Sequence, residues 1–208
     1  MKLIARIEVR NTENIPTGNF IMASNHLGRL DSAVLLYIFD REDIIMPVAE
    51  KYKNHPIFGA IGRAANAVWL NRFETDFHAL RTMLKRMKEG GMLVIAPEGT
   101  RSKTGALQPG KPGVSYLAAK SGYPVLPVAL TGTEDSYVLE QLKHFRRIHI
   151  TATAGKLMTL EMPQGKDREQ ILADQTEEIM CQIAALLPKK YHGVYSDHPR
   201  LKELVPDA

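Results

Sequence analysis

The chain has 208 residues, enough for one domain with a substantial core. Hydrophobic and charged fractions of 44% and 24% are those of a globular protein and exclude a disordered one. A single cysteine, Cys181, excludes an internal disulfide and any multi-cysteine metal site, and the net charge of +4 is a modest excess suited to an anionic partner.

That partner can be a phosphorylated small molecule, an acidic protein or an anionic lipid surface. Nucleic acid is disfavoured, because no dense basic run is interleaved with aromatics. Charges at Lys2 and Arg6 break the N-terminus too early for a signal peptide. No apolar run approaches the ~20 residues that span a bilayer. The sequence therefore reads as a cytoplasmic protein that does not thread a membrane but can lie on one.

Residues 2–10 alternate, with Leu3, Ala5, Ile7 and Val9 against charged neighbours, which predicts a half-buried strand broken in pattern only at Ile4. After a polar turn over 11–18, the apolar run 20–23 predicts a buried strand. It delivers Asn25-His26-Leu27-Gly28-Arg29-Leu30-Asp31, and a helix is expected over 32–39. Five residues separate His26 from Asp31, about 140° on a helix and opposite faces on a strand. The two meet only if the chain turns between them, and Gly28 is permissive enough for that turn. A carboxylate on the far ring nitrogen would then fix the tautomer of a histidine acting as general base. The other reading makes Asp31 a helix N-cap and His26 an ordinary turn residue.

A charged turn over 40–43 leads to a strand at 44–49, then a helix at 57–66 with Pro56 in its first turn. A strand at 67–70 ends in Asn71-Arg72, where the cation is either a phosphate ligand or a surface residue. Residues 74–89 predict a helix whose stripe is Phe77, Leu80, Leu84 and Met87, ended by Gly90. The continuous apolar run 92–96 reads as a central strand, and it runs into Pro97-Glu98-Gly99-Thr100-Arg101-Ser102. Here Arg101 offers a planar fork for phosphate, Gly99 admits close backbone approach, and Glu98 can accept hydrogen bonds from ligand hydroxyls. A plain polar loop with Thr100 as a cap is the alternative.

Residues 105–112 carry the glycine and lysine spacing of a phosphate-binding P-loop, but Pro112 stands where a hydroxyl is needed and no strand precedes. A nucleoside-triphosphate site is excluded, and Lys111 stays as a candidate anion contact. A helix over 114–120 stops at Ser121-Gly122. The strand 125–130 contains Pro127, which predicts an edge position or a bulge. Residues 148–153 and 157–161 read as a terminal hairpin about 154–156. A last amphipathic helix over 168–187 turns Ile171, Leu172, Ile179, Ile183 and Leu186 inward, and the tail from Pro188 shows no regular pattern. With no repeat, low-complexity tract or linker, the expectation is a single α/β domain over 1–208, a mixed central β-sheet flanked by helices.

These pieces resemble the glycerolipid acyltransferases, the 1-acylglycerol-3-phosphate (lysophosphatidic acid) acyltransferases and their glycerol-3-phosphate and lysophospholipid relatives. Asn25-His26 with Asp31 is similar to their His-x-x-x-x-Asp motif. Residues 96–102 are similar to their Phe-Pro-Glu-Gly-Thr-Arg-Ser block, with Ala96 replacing the phenylalanine. Val68 to Arg72 resembles the second block, and Leu126-Pro127-Val128-Ala129-Leu130 the fourth. All four stand in the family's order, across roughly residues 20–132.

The resemblance implies an O-acyltransferase that moves a fatty acyl chain from acyl-CoA or acyl carrier protein to the free hydroxyl of 1-acylglycerol 3-phosphate, giving phosphatidic acid. His26 and Asp31 are then catalytic. Arg101, with Arg72 and Lys111, holds the acceptor's phosphate, while Glu98 and Gly99, flanked by Asn25 and Thr100, shape the acceptor site. Oxyanion donors are expected from N–H groups near the two main motifs. No metal and no cofactor beyond the acyl donor is implied. Many relatives carry an N-terminal anchoring segment, whereas this chain opens with a strand, so peripheral membrane contact is expected from basic and apolar residues over 51–58. Other readings are the same transfer to another acceptor, a metal-dependent hydrolase using His26, Asp31 and Glu98, and a non-catalytic lipid-binding module.

Overall fold

The computed structural model describes residues 4–72 and 76–206. Six strands form the main sheet: β1 (Ala5–Arg10), β2 (Ile21–Ser24), β3 (Ile44–Ile45), β6 (Met92–Ile95), β7 (Val125–Thr131) and β8 (Ile148–Ala154), in the order β1-β8-β7-β2-β6-β3. Every neighbouring pair is parallel except β7 with β8, so the sheet is mixed. A separate parallel pair joins β4 (Pro47–Ala49) to β5 (Val68–Leu70).

The apolar runs of β2 and β6 are continuous because both faces of these strands are covered. Ile21, Ala23 and Leu93 turn to one face, where they meet α3 (Phe77–Lys88), α4 (Gly113–Ser121) and α6 (Arg168–Ala185) through Met83, Leu117 and Ile179. Met22, Met92 and Val94 turn to the other face, against Val34 and Leu35 of α1 (Asp31–Phe39). At about 25 cal/mol per Å² of apolar surface, these two layers are the main source of stability. The carboxyl ends of β6, β2 and β7 lie side by side, and the loops that leave them build the site.

Several expectations need correction. The strand expected over 44–49 breaks at Met46 into β3 and β4, which belong to different sheets. In α3 the buried residues are Ala79, Met83 and Met87; Met87 is as expected, Leu80 and Leu84 pack half-buried against the core, and Phe77 is 68% exposed. Asp76 caps this helix by accepting from Ala79 N, and the expected start at 74–75 lies outside the described residues, as do Lys2 and Leu3 of the first strand. In α6 Leu172, Ile179 and Ile183 are buried, whereas Ile171 is exposed; Leu186, just past the helix, is half-buried.

Pro127 stands in an interior strand without a bulge. Val125 and Pro127 turn their backbone groups to the β8 side, where Val125 N donates to Met158 O and Gly155 N to Pro127 O. The β8 ladder begins only at Val128, so the missing donor faces a turn and costs no ladder bond. The hairpin about 154–156 does not form: β8 lies between β1 and β7, and Met158 makes one isolated bridge to Val125. Among the described residues, two α-helices have no counterpart in the sequence reading, α5 (Asp135–Lys143) and α7 (Pro199–Leu204). The tail packs back on the core through buried Tyr191, Tyr195 and Leu201. Cys181 is buried in α6, and burial pushes its thiol up to about 12.

Candidate active site

β2 delivers His26 to the sheet's carboxyl edge, and the chain then turns so that Asp31 opens α1. His26 Nδ1 lies 2.6 Å from Asp31 Oδ2, with the imidazole 26% exposed and the carboxylate 4%. The same oxygen accepts from Leu27 N at 2.7 Å and Gly28 N at 3.0 Å, so Asp31 folds the loop as well as orienting the ring. It is the first helical residue, not the cap, which is Leu30. Asp31 Oδ1 is buried without a hydrogen-bond partner among the described residues. His26 Nε2 makes no hydrogen bond among the described residues, and His26 lines the cleft. Gly28 is required by space: a Cβ there would sit 1.8 Å from Thr133 O.

Four consecutive backbone N–H groups of this loop end on carboxylate oxygens. His26 N donates to Glu98 Oε1 at 2.8 Å, Leu27 N and Gly28 N to Asp31, and Arg29 N to Asp135 Oδ1 at 2.8 Å. None of the four is free to hold an oxyanion, contrary to what their place beside the histidine suggests. Glu98 is 3% exposed, and its Oε2 accepts from Gln108 N at 3.0 Å. Burial pushes its carboxyl above the ordinary glutamate value, against the pull of the N–H groups of His26 and Gln108. The expectation that Glu98 meets ligand hydroxyls is therefore revised: both its oxygens are spent on the protein's own N–H groups. Asn25 is likewise committed, its amide donating to Leu130 O at 2.9 Å and accepting from Leu130 N at 2.7 Å. It ties β2 to β7 beneath the site. Among the described residues, no three His, Cys, Asp or Glu side chains are grouped to hold a metal ion.

The cations gather on the loops after β5 and β6. Arg101 Nη1 donates to Asp135 Oδ2 at 2.8 Å, and its Nη2 lies 3.5 Å from the Tyr52 hydroxyl. Arg72 Nη1 donates to Gly99 O at 2.9 Å, and Lys111 Nζ to Arg72 O at 3.1 Å. Gly99 has φ +68°, and a Cβ there would press on Lys111 Cδ at 3.2 Å. Burial works to raise the Tyr52 phenol, but Lys51, Arg101 and Arg72 together bring it below its ordinary value. Thr100 is exposed on the cleft wall, and Ser102 N donates to His26 O at 2.8 Å, tying the two loops.

These groups share one cleft of about 1880 Å³ with His26, larger than the ~300–1,000 Å³ of sites for drug-sized ligands. Its walls are apolar on both sides of the histidine, with Leu35, Leu36 and Met46 from one core and Leu80, Met83 and Leu117 from the other. Such a space suits alkyl chains beside an anionic head group. Sequence reasoning missed Arg29, Tyr52 and Asp135. The only signal for Asp135 was an acid shortly after a strand, which is common at any helix start.

The profile of the Acyltransferase family matches residues 6–131, more than half of the chain. The chain is 31% identical over 137 residues to the chloroplastic 1-acyl-sn-glycerol-3-phosphate acyltransferase BAT2 of Brassica napus, covering 62% of this chain and 38% of that protein. It is 29% identical over 136 residues to the 1-acyl-sn-glycerol-3-phosphate acyltransferase of Borreliella burgdorferi, covering 64% and 54%. The chain thus spans about half or less of the length of these relatives. Among solved structures, the 1-acyl-sn-glycerophosphate (LPA) acyltransferase PlsC from Thermotoga maritima superimposes with a TM-score of 0.60 and 26% identity, over 85% of this chain and 73% of that one.

Proposed function

Since the chain belongs to the acyltransferase family, we propose that it transfers a fatty acyl group from acyl-CoA or acyl carrier protein to the free hydroxyl of 1-acylglycerol 3-phosphate, forming phosphatidic acid in phospholipid synthesis. The observation that carries this reading is the 2.6 Å contact of His26 Nδ1 with buried Asp31, in a histidine that lines the cleft and whose Nε2 has no partner among the described residues.

Asp31 holds the proton on Nδ1, so the unprotonated Nε2 takes the proton of the acceptor hydroxyl. The alkoxide oxygen bonds to the thioester carbon, and the carbonyl electrons move onto oxygen. The intermediate collapses by breaking the C–S bond, and the departing thiolate takes the proton from the imidazolium. One ester and one thiol result, with no acyl-enzyme. Arg101, with Arg72 and Lys111 nearby, provides the positive charge that suits the acceptor's phosphate.

The protein's other partner is the cytoplasmic face of the membrane, bound peripherally. No helix among the described residues is long and apolar enough to cross a membrane. In α2 (Pro56–Ala64) the packing face is made of Gly59 and Gly62, where a Cβ would meet Lys53 O at 2.4 Å and Trp69 at 2.5 Å. The large apolar residues Ile57, Phe58 and Ile61 are left exposed by 63%, 39% and 57%, beside exposed Lys51, Lys53 and Arg63. An apolar helix face rimmed by cations fits an anionic leaflet, and Phe58 and Ile61 line the cleft mouth.

The test is acyl transfer from labelled acyl-CoA, and separately from acyl carrier protein, to lysophosphatidic acid. Transfer by the wild type that is lost in His26→Ala and indifferent to EDTA supports the reading. Transfer retained in His26→Ala, or abolished by EDTA, overturns the mechanism.

A further inference from the structure

Two of the three carboxylates that hold the histidine loop, Asp31 and Glu98, lie within the motif blocks. The third, Asp135, belongs to none of them. It opens α5, reached by the turn that follows β7. Its Oδ1 accepts from Arg29 N at 2.8 Å, while its Oδ2 lies 2.8 Å from Arg101 Nη1 and 3.6 Å from Arg29 Nη1. One side chain thus joins the backbone of the general base's loop to the guanidinium assigned to the acceptor's phosphate. The turn that carries it is held in place. Thr133 O fills the space beside Gly28, and Glu134 Oε1 accepts from the Tyr191 hydroxyl at 2.5 Å.

We infer that Asp135 is a positioning and specificity-determining residue for acyl transfer. Its Oδ1 fixes the histidine loop, and its Oδ2 occupies the edge of Arg101 that the acceptor's phosphate takes over. The inference rests on the acyl-transfer reading above. The two oxygens have separable work. The ion pair with Arg101 is partly hydrated, with side chains 31% and 40% exposed, so exchanging it for phosphate costs little. The bond to Arg29 N anchors a loop that carries the reacting base, where a small displacement is costly to the rate. The carboxylate's charge also opposes a phosphate anion that approaches Arg101.

Wild type, Asp135→Asn and Asp135→Ala are compared in acyl transfer from acyl-CoA to lysophosphatidic acid in phosphatidylcholine vesicles, with inorganic phosphate as competing anion. Thermal unfolding of each variant controls for folding. Asn keeps an oxygen for Arg29 N–H but carries no charge. Its KM for the acceptor falls about three- to fivefold, the worth of an exposed ion pair, phosphate inhibits correspondingly better, and kcat changes by less than about twofold. Ala removes both contacts, and kcat falls roughly tenfold or more. An Asn variant that loses kcat as Ala does, or that raises KM, overturns the inference, as does an Ala variant with the wild-type kcat. A wild type silent toward this acceptor fails the acceptor assignment instead. Calorimetric binding of inorganic phosphate then decides the anion half: tighter in Asp135→Asn sustains it, equal or weaker overturns it.

Discussion

Glu98 Oε1 lies 2.8 Å from the backbone nitrogen of His26, so the glutamate of the 96–102 block reaches the proposed general base through the main chain. Its second oxygen holds Gln108 N, and the residue is 3% exposed. Glu98→Ala leaves two buried N–H groups without acceptors, at ~1–3 kcal/mol each. Denaturant unfolding should show a loss of roughly 2–4 kcal/mol, and kcat should fall more than KM rises. A purely ligand-binding glutamate would raise KM with little change in stability.

Asp31 orients the imidazole and also accepts two N–H groups. Asp31→Asn removes the charge that stabilises the imidazolium, and an amide N–H turned to Nδ1 donates to it and favours the wrong tautomer. The expected result is a loss in kcat of about 10³- to 10⁴-fold with acceptor KM little changed. A loss below tenfold would argue that His26 does not act as the base.

Gly28 has no room for a side chain. In Gly28→Ala the new methyl collides with Thr133 O and pushes the histidine loop from the 132–135 turn. The variant should be destabilised by about 1–3 kcal/mol, as in other overpacked sites, and transfer should fall with it. Gly18→Ala, where nothing lies within 4 Å of the added Cβ, should match the wild type in both measurements.

Binding to vesicles that contain anionic lipid should require both parts of the α2 surface. Ile57→Asp with Ile61→Asp should abolish sedimentation at any salt, because it removes the exposed apolar face. Lys51→Glu with Lys53→Glu should weaken binding most at low ionic strength, where charges act over about 10 Å or more. Undiminished sedimentation of both variants would move the membrane contact elsewhere.

The C-terminal helix is held by an ion pair that acid should break. Arg200 donates to Glu178 at 2.7 Å and 3.0 Å, and this guanidinium is the main cause of the glutamate's depressed pKa. A carboxylate lowered in the folded state contributes stability that is present above its ordinary value near 4.5 and lost as pH falls through the folded value. The melting temperature of the wild type should therefore drop more steeply below pH 4.5 than that of Glu178→Gln. Parallel curves would show that the pair does not hold α7.

Much of the architecture was legible as periodicity. The alternation of residues 5–10, the apolar run 92–95 and the stretch 113–121 became the expected strands and helix, because each segment's pattern matches the burial it meets. What failed was whatever depended on partners distant in sequence. Pro127 reads as an edge residue until the direction of its missing N–H is known, and 157–161 reads as a strand until β8 is seen to pair with β1. At the start of α3 packing against the core, which periodicity alone does not decide, buries Ala79 and leaves Phe77 exposed.

For the site, residue types at fixed spacing determined which chemistry is available: a histidine with a carboxylate five residues on, and a glutamate, glycine and arginine after the next buried strand. Local sequence could not decide what each group faces. Glu98 and Asn25 read as ligand contacts, yet the protein's own N–H and C=O groups take them, since a buried loop must satisfy its backbone somewhere. Asp135 read as nothing, yet it bridges two loops, because a site at the ends of β2, β6 and β7 is assembled from segments distant in sequence, Arg29 and Asp135 being 106 residues apart. Chemical capacity is a property of residues and spacing, and commitment is a property of neighbours, which only the folded sheet supplies.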